Sequence, residues 1–475
     1  MKWYFNKHQI VCILCASIIV ICIIVFQVAA ATGKNSLEWA IEPRYEWLSE
    51  DFSEGVCYYA GSPAGYINHT GHIIYEFEEN HYNGGYFSNG SVLVTLRPSG
   101  QKIGYLDRKT FQIRPYQERE TTEMVFEEKK EKIPSKYETT GITKEGLTSV
   151  KTKEGWGFID EEGNEIIKPQ YNDYNGYMSF SEGYTMIQET PNKVFCINKK
   201  GEKIFTIKAP FQTSFTQLNF NHFIDGIYII HIESSDGKEY SGVINAKGDT
   251  ILSPKYDKIT YGEGLLTAFK DENIYLYDTK GKLLIDFKKQ YPEVSNLGSP
   301  SENCIFAEVL QINPETQEKE NLRGFFKNPI ANPSKWAEKE IIEAFTCSLI
   351  PETLAYNYQT PITKQEFAKL IIHLMQEIDF FEFYAAPLDT FKDTMDYSVL
   401  QLVKAGIIEQ TKNQLFEPEK PISKEEAKQI LQNTIDYLNI NTTIDEITPQ
   451  NDTSENYTRE QAIITILNLY KKASP

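Results

Sequence analysis

The sequence has few cysteines and no cluster of basic residues. Each of these two absences excludes a class of protein. Beyond the N-terminal apolar run only Cys57, Cys196, Cys304 and Cys347 remain, and they are widely separated. This spacing fits neither a disulfide framework nor a zinc site. The formal net charge is -18, and no cluster of Lys or Arg stands clear of neighbouring acids. We therefore expect no nucleic-acid partner, because contact with phosphates needs a basic face.

Motifs for catalysis are also missing. The chain has no phosphate-binding glycine loop, no His-Glu-x-x-His pair, no EF-hand loop and no nucleophile elbow. His69, His72 and His81 are close in sequence but lack the spacing of metal ligands. The sequence therefore predicts a protein that is not an enzyme, with no catalytic residue, no metal and no cofactor. An enzyme whose site is assembled from scattered repeats stays open as an alternative.

The N-terminus carries a long apolar run. Lys2 and Lys7 precede an uncharged stretch over residues 10–28, and three alanines follow it. This order is typical of an export signal, and the run is also long enough to span a bilayer uncut. We expect residues 1–31 to be a signal peptide or an N-terminal membrane anchor, which enters the membrane at least during export. The rest of the chain then lies outside the cytoplasm, at the cell surface or cell wall.

A repeated pattern fills the middle of the chain. Phe-Ser-(Glu/Asn)-Gly followed by an alternating strand occurs at 52–55, 87–90 and 180–183. A second element, Gly-aromatic-Ile-(Asp/Asn) with a turn and a further apolar strand, gives six clear copies, at 64–77, 103–115, 156–171, 194–207, 241–256 and 274–287. A degenerate seventh copy consists of CIFAEVL and RGFFKNP, over residues 304–329. Such spacing is typical of small supersecondary units arranged in series.

Each copy contains hairpin chemistry. Asp160 is followed three residues later by Gly163, so the acid caps the turn and the glycine takes the positive φ. The strands alternate, which leaves one apolar face that a lone hairpin cannot bury. Neighbouring copies must cover one another's faces, with Phe180 packed inward. The pattern predicts an all-β domain over residues 45–330 and leaves open whether it is a closed propeller or an open solenoid.

The stretch GWGFIDEEGNEIIKPQYNDY at 155–174 resembles the WG repeat of bacterial proteins, in which Trp-Gly opens a strand and Pro-x-Tyr closes the next. Trp156 and Gly157 match the first half of the motif, and residues 169–171 and 254–256 match the second. The resemblance implies an extracytoplasmic or binding module with no single activity. We expect a protein or glycan ligand on the face of the β repeats.

After residue 330 the apolar period becomes helical. Five segments place apolar residues at i, i+3, i+4 and i+7. Three of them start with a capping box, in which the side chain of the cap residue accepts a hydrogen bond from the backbone N–H three residues later. The side chain of that later residue accepts in turn from the backbone N–H of the cap residue. The boxes are Thr363 with Glu366, Ser423 with Glu426, and Thr458 with Gln461. The sequence therefore predicts an all-α domain over residues 335–475.

This helical region resembles the S-layer homology domain, a bacterial cell-wall anchoring module of three repeats. FKDT at 391–394, AGII at 405–408 and LFEPEKPISKEEA at 415–427 follow its order, residues 348–368 give another copy, and YTREQA at 457–462 begins a truncated third. The resemblance implies that each helix start binds an anionic secondary cell-wall polysaccharide. By position, the ligand-binding residues are then Thr363, Lys364, Glu366, Ser423, Lys424, Glu426, Thr458 and Arg459.

The helical region departs from that family in its charges. Lys364 and Lys424 stand where the family has Arg, which removes a bidentate partner for carboxylates. Residues 335–475 contain 22 acidic against 13 basic side chains, an unfavourable field for a polyanion. The capping boxes are also explained without a ligand, since a helix start needs a cap.

Three functions are consistent with the sequence. The first is an exported, non-catalytic cell-surface protein, in which the repeats bind a ligand and the helical region holds the protein to the envelope. The second is a membrane-anchored scaffold for protein–protein interaction, whose helical region docks a protein. The third is a hydrolase of envelope glycans.

Overall fold

The computed structural model of the chain describes residues 36–78, 82–116, 136–172, 178–210, 212–216, 222–378, 384–449 and 457–473. The chain divides into a short N-terminal unit, residues 1–37, and one large compact unit, residues 38–475. The apolar run at 10–28, on which the prediction of export depends, lies outside the described residues. Across the described ranges, no helix combines the length and apolar character needed to cross a membrane.

The β region is a series of small antiparallel sheets, which we number in chain order. Sheet 1 contains β2 (Cys57–Tyr59), β3 (Gly65–Ile67) and β4 (Ile73–Glu76). Sheet 2 contains β5 (Tyr82–Asn83), β6 (Ser91–Leu96), β7 (Gln101–Asp107) and β8 (Ile113–Pro115). Sheet 3 contains β9 (Thr139–Lys144), β10 (Leu147–Thr152), β11 (Gly155–Ile159) and β12 (Glu165–Tyr171). Sheet 4 contains β13 (Tyr184–Thr190), β14 (Lys193–Asn198) and β15 (Lys203–Lys208).

Three further sheets complete the β region. Sheet 5 contains β16 (Thr213–Thr216), β17 (Ile227–Ser234), β18 (Glu239–Asn245) and β19 (Thr250–Tyr256). Sheet 6 contains β20 (Lys258–Gly262), β21 (Leu265–Lys270), β22 (Asn273–Asp278) and β23 (Leu283–Asp286), followed by the short helix α1 (Phe287–Gln290). Sheet 7 contains β24 (Val294–Ser301), β25 (Cys304–Ile312), β26 (Lys319–Lys327) and, outermost, β1 (Trp39–Tyr45). The seven copies expected from the sequence therefore correspond to seven sheets.

The first strand of the β region completes its last sheet. In the pairing of β1 with β26, Trp39 lies opposite Phe326, and Ile41 lies opposite Phe325. The series of sheets is thus closed on itself, as in a β-propeller, rather than open as in a solenoid. Closure lets the last sheet pack on the first, so it buries the two sheet faces that an open series would expose to solvent.

Neighbouring sheets bury their apolar faces against each other, as the alternating pattern predicted. Trp156 of sheet 3 shares a cluster with Phe180, which is fully buried beside sheet 4. Ile41 and Phe306 of sheet 7 share a cluster with Phe52, which precedes sheet 1. The described cysteines are all free thiols, and those buried in these clusters are Cys57, Cys196 and Cys304. The apolar core of the β region therefore lies between neighbouring sheets.

The glycine of the Trp-Gly pair allows a close approach of the outer strand. A Cβ on Gly157 would lie 2.5 Å from the backbone nitrogen of Pro169, and a Cβ on Gly324 would lie 2.8 Å from that of Pro43. The strand register shifts at both places, so the glycine admits a bulged neighbour. The position of Pro43 in sheet 7 is therefore equivalent to the position of Pro169 in sheet 3.

A two-residue turn precedes one strand of each sheet, and we call these seven turns the entry turns. They are Glu54–Gly55, Asn89–Gly90, Glu145–Gly146, Glu182–Gly183, Asp225–Gly226, Glu263–Gly264 and Glu302–Asn303. Both residues of each have positive φ, which defines a type I′ hairpin turn. Glycine adopts this conformation without strain, whereas a glutamate adopts it at a cost of about 1–2 kcal/mol. The glutamates therefore need a compensating interaction.

The helical region follows the β region. Its helices are α2 (Glu338–Thr346), α3 (Lys364–Ile378), α4 (Tyr397–Lys404), α5 (Lys424–Leu438), α6 (Ile444–Ile447) and α7 (Arg459–Ala473). All five helical segments predicted from the sequence are present, and a further short helix, α6, precedes the last of them. Helix α7 is buried along most of its length and contacts α2, α3 and α6. The copy that looked truncated in sequence thus supplies the central helix of this core.

Candidate functional site

The glutamates of the entry turns bind the entry turn of the next sheet. Glu182 accepts hydrogen bonds from the backbone N–H groups of Asp225 and Gly226, at 3.0 and 2.8 Å. Glu302 of sheet 7 accepts from Gly55 of sheet 1 at 3.0 Å, so the same bond crosses the closure of the ring. Equivalent bonds join Glu54 to Gly90, Glu145 to Gly183, and Glu263 to Asn303. Hydrogen bonds to charged groups contribute about 1.5–3 kcal/mol each, which offsets the backbone strain.

Asp225 makes the corresponding link through a tyrosine, since its side chain is one methylene shorter. The backbone N–H of Gly264 donates to the hydroxyl oxygen of Tyr261 at 3.2 Å, and that hydroxyl donates to Asp225 at 3.4 Å. Tyr356 of the helical region donates to the same carboxylate oxygen. Burial raises the pKa of Asp225, against the lowering effect of the Tyr356 hydrogen bond. Asp225 is thus one point where the ring meets the helical region.

The helical region lies on the face formed by the entry turns. A Cβ on Gly55 would lie 2.4 Å from the Thr346 hydroxyl, and a Cβ on Gly264 would lie 2.7 Å from the Tyr356 ring. A Cβ on Gly146 would lie 2.7 Å from the ring of Tyr397. These turns therefore require glycine for a second reason, which is the contact with the helical region.

A buried lysine strengthens this contact. The side chain of Lys199, in the turn between β14 and β15, has no exposed surface, and its ammonium lies 3.0 Å from the Glu145 carboxylate. It also donates to the carbonyl oxygen of Met395 at 3.2 Å and faces the ring of Tyr397. A lysine is almost never buried this fully unless its charge is paired. The helical region is therefore fixed to the ring by buried polar contacts as well as by apolar packing.

Residues 352–358, which we call the docking segment, lie on the entry turns of sheets 6 and 7. The Tyr358 hydroxyl donates to Asn303 at 2.6 Å, and the backbone N–H of Asn303 donates to Glu263 at 2.9 Å. Glu352 accepts from the backbone N–H of Glu263. Glu263 is only 3% exposed, and this burial raises its pKa to about 8. A carboxyl with a pKa near 8 is a perturbed group of the kind that occurs at functional sites.

The three predicted capping boxes all form at the starts of α3, α5 and α7. Each hydroxyl accepts from the backbone N–H three residues later, and each acid or amide accepts from the backbone N–H of the cap; the pairs are Thr363 with Glu366, Ser423 with Glu426, and Thr458 with Gln461. Backbone hydrogen bonds join Ile362 to Tyr457 and to Ile422. The structure therefore brings the three helix starts side by side.

Two predicted ligand-binding cations, Lys364 and Arg459, form ion pairs within the chain. Lys364 lies 2.7 Å from Glu426 of the second copy and 3.4 Å from Glu417. Arg459 of the third copy is 9% exposed and lies 2.5 Å from Glu366 of the first. These ion pairs connect the copies to each other. Sequence spacing did not reveal them, because the partners come from other copies.

Arg459 also contacts the docking segment. It donates to the carbonyl oxygen of Tyr356 at 2.9 Å, and its guanidinium carbon lies 5.0 Å from the centre of that ring. The pKa of Arg459 is raised because the Glu366 carboxylate outweighs the effect of burial. This side chain therefore joins the helical core to the segment that contacts the ring.

The third predicted cation, Lys424, lines a groove together with Lys428. The groove has a volume of about 450 Å³ and lies between the first turns of α5 on one side and residues 445–449 and Tyr457 on the other. Its other lining residues are Ala427, Leu431, Asp445, Thr448, Pro449 and Tyr457. Two lysines one helical turn apart project from the same face of α5, so this groove combines positive charge with an apolar wall.

A larger cleft, of about 660 Å³, lies between the entry turns of sheets 4 and 5 and the helical region. It gathers the carboxylates of Glu182, Glu202, Asp225, Glu366, Asp393, Asp396 and Glu419. Glu182, Asp225 and Glu366 serve the turns and caps described above, and Asp396 is the N-cap of α4. Asp393 accepts from two backbone N–H groups, and Glu202 accepts from Asn198. Local structure therefore accounts for most of these acids, and throughout the described parts of the chain no group of acidic, histidine or cysteine side chains is arranged to hold a metal.

Two of the three neighbouring histidines are described, and each has a local partner. His69 stacks on Phe52 and lies 3.0 Å from Glu302. His72 is 2.6 Å from the hydroxyl of Thr70, and His81 lies outside the described residues. The His69 side chain is therefore largely buried, at 9% exposed, whereas His72 is an exposed turn residue.

Comparison with protein families identifies the class of repeat. The model of the WG containing repeat matches residues 156–190 and 242–273. The chain therefore carries WG repeats in these two stretches, which span sheets 3 to 4 and 5 to 6. No curated protein matches the chain.

Solved structures similar to the chain share little sequence with it. A eukaryotic initiation factor gives a TM-score of 0.27 at 9% identity, over 60% of this chain and 78% of that chain. BamB from Moraxella catarrhalis gives 0.22 at 11% identity, over 57% and 79%. The WD40 β-propeller domain of Doa1 gives 0.23 at 11% identity, over 63% and 96%. The propeller-type closure described above depends on this chain's own strand pairing.

Proposed function

We propose that the protein is an exported, non-catalytic binding protein of the bacterial cell surface, and that its helical region is an S-layer-homology-type module that attaches to an anionic cell-wall polymer. The observation that carries the proposal is the groove lined by Lys424 and Lys428. Three adjacent helix starts, each with the predicted capping box, support the assignment of the module. The N-terminal apolar run supports export.

The groove has the chemistry that an anionic glycan needs. The two lysines provide positive charge, and the N-terminal end of α5 adds the positive end of the helix dipole. Leu431 and Tyr457 provide an apolar wall for the C–H face of a sugar, and Asp445 provides an acceptor for hydroxyl groups. The volume is within the range of small-ligand sites. We assign polymer binding to this motif position because the groove combines two lysines with an apolar wall.

The proposal extends to the ligand of the WG repeats, which we assign to the face of the ring opposite the helical region. The helical region covers the face of the entry turns, so a protein or glycan ligand of the repeats has the opposite face of the ring available. That face is formed by the turns between the second and third strands of the four-stranded sheets, such as the turn between β10 and β11.

Cell-wall binding by the full chain tests the proposal. Lys424→Ala combined with Lys428→Ala should reduce retention on purified Gram-positive sacculi at least tenfold, because both ammonium groups of the groove are lost. A matched control, Lys339→Ala with Lys412→Ala, removes the same net charge from exposed positions of the helical region and should change retention less than twofold. Equal retention of the wild type and both variants would contradict the proposal.

Extraction of the sacculi separates polymer binding from protein docking. Treatment with hydrofluoric acid removes wall polymers attached through phosphodiester bonds, and it should abolish retention of the wild type. Retention that survives extraction but is lost after protease treatment of the sacculi would instead show that the helical region docks a protein.

A further inference from the structure

Glu263 is a buried acid at the centre of the contact between the ring and the helical region. It has almost no solvent exposure, and the docking segment covers its turn. The ring of Tyr356 packs on Gly264, and the Glu352 carboxylate accepts from the backbone N–H of Glu263. A change in the charge of Glu263 therefore changes how strongly the helical region packs on the ring.

The groups around Glu263 disfavour a negative charge there. The carboxylate of Glu302, from the entry turn of sheet 7, acts on Glu263 from the ring, and the Glu352 side chain, from the docking segment, accepts from the backbone N–H of Glu263. Tyr358 and Cys304 are buried neutral groups on two further sides. Arg459 reaches Tyr358, but it is paired with Glu366.

Three neutral amides provide polar contacts of the Glu263 carboxyl, and one of them is the backbone N–H of Glu302. The backbone N–H of Asn303 donates to it at 2.9 Å, and the Asn328 side chain lies 3.5 Å from the same oxygen. Hydrogen bonds from neutral donors stabilise a buried carboxylate less than an ion pair would. Burial therefore remains the dominant influence on this group.

We propose that attachment of the helical region to the ring is proton-linked, and that Glu263 is the group that must be neutral for the docking segment to stay in place. Ionisation of Glu263 puts a negative charge near Glu302 in a contact that water does not reach. The docking segment then moves away so that water can reach the carboxylate. This regulation is independent of what the groove of Lys424 and Lys428 binds.

The direction of the pH dependence follows from the raised pKa of Glu263. Its value is about 8 when docked, against the ordinary 4.5 of an exposed Glu. The docked state thus binds the proton more tightly, and the stabilisation from this group is complete below about pH 4.5. This stabilisation of the docked state is lost progressively as the pH rises through about 8. Attachment should therefore be firm in acid and loose in alkali.

Hydrogen exchange of the full chain, read by mass spectrometry at pH 6.5 and 9.5 and corrected for intrinsic exchange rates, tests the proposal. We expect peptides over residues 352–358 to exchange at least tenfold faster at the higher pH. In Glu263→Gln, which stays neutral, the change should be less than threefold. Glu161→Gln alters another contact of the same face, the hydrogen bond from Tyr397, and should keep the wild-type response. A wild type without a pH response, or a Glu263→Gln variant with the full response, would overturn the proposal.

A second variant covers the case in which Glu263→Gln does not fold. Glu302→Gln keeps an acceptor for the backbone N–H of Gly55 but removes a negative charge that adds to burial in raising the pKa of Glu263. The midpoint of the exchange transition should move to lower pH, because loss of a neighbouring negative charge lowers the pKa of the docked Glu263. A midpoint that stays in place or moves to higher pH would overturn the proposal.

Discussion

At the scale of single residues, Lys199 illustrates how the ring and the helical region depend on each other. Its ammonium is enclosed by a carboxylate of the ring, a carbonyl oxygen of the helical region and an aromatic ring. A buried ion pair contributes little net stability relative to an apolar pair, but removal of one member leaves the other charge buried and uncompensated. The pair should therefore tolerate loss of both charges better than loss of one.

We expect Lys199→Met to lower the free energy of unfolding by about 2–4 kcal/mol, because Glu145 loses its cation and Met395 loses its donor. Urea denaturation of the full chain, followed by tryptophan fluorescence, measures this change. The neighbouring Lys200 is exposed, and Lys200→Met should stay within about 0.5 kcal/mol of the wild type. Equal losses in the two variants would show that the buried contact is not stabilising.

At the scale of elements, the entry turn combines three tasks in two residues. Its positive φ values close a hairpin, its carboxylate binds the next sheet, and its glycine makes room for the helical region. These tasks are separable, because the entry turns differ in what lies next to the glycine.

Two glycine substitutions separate backbone strain from contact with the helical region. Gly183 has φ +82° and open space around it, since a Cβ there would have no neighbouring atom within 4 Å. A Cβ on Gly264, at φ +78°, would instead meet the Tyr356 ring at 2.7 Å. Gly183→Ala should therefore cost about 1–2 kcal/mol of stability, which is the strain alone. Gly264→Ala should cost about 3 kcal/mol or more, because steric overpacking adds to the strain. Similar costs in urea denaturation would mean that the helical region does not pack on the turn.

The elements were largely predictable from the sequence, because their signals are local. Alternation of period two identified the strands, helical period identified five helices, and capping boxes identified three helix starts. Partners distant in sequence were not predictable from such signals. The glutamates of the entry turns bind backbone groups of the next sheet, and Arg459 pairs with Glu366 of another copy. The sequence pattern assigned a role to the glycine of the signature but none to the glutamate that recurs before it.

One overlooked signal would have predicted the closure of the ring. Pro43-Arg44-Tyr45 repeats the Pro-x-Tyr ending of the outer strand at residues 169–171 and 254–256. Its position before the first copy marks it as the missing outer strand of the last one. The repeat count alone could not distinguish a closed ring from an open solenoid, but this displaced ending does.

At the scale of the whole molecule, stability depends on the joint between β1 and β26. Gly324→Ala should push β1 away from β26, because the new Cβ would lie 2.5 Å from the carbonyl oxygen of Ile41. We expect a loss of about 2–4 kcal/mol in the free energy of unfolding, comparable to other overpacked or disrupted core sites. Gly85→Ala is the control, since the nearest atom to its Cβ is 3.9 Å away. If calorimetry shows the same melting temperature for both variants, the joint is not critical.

The strand of the β region that leaves the ribosome first is joined to the strand that leaves last. Contacts with such long sequence separation form slowly, because the intervening chain must first be ordered. Until residue 327 has emerged, Trp39–Tyr45 has no β26 to pair with, and both strands are available to another copy of the chain. During synthesis, β1 therefore stays unpaired until β26 has emerged. In this interval, pairing of β1 with a second molecule competes with its pairing to β26 of the same molecule.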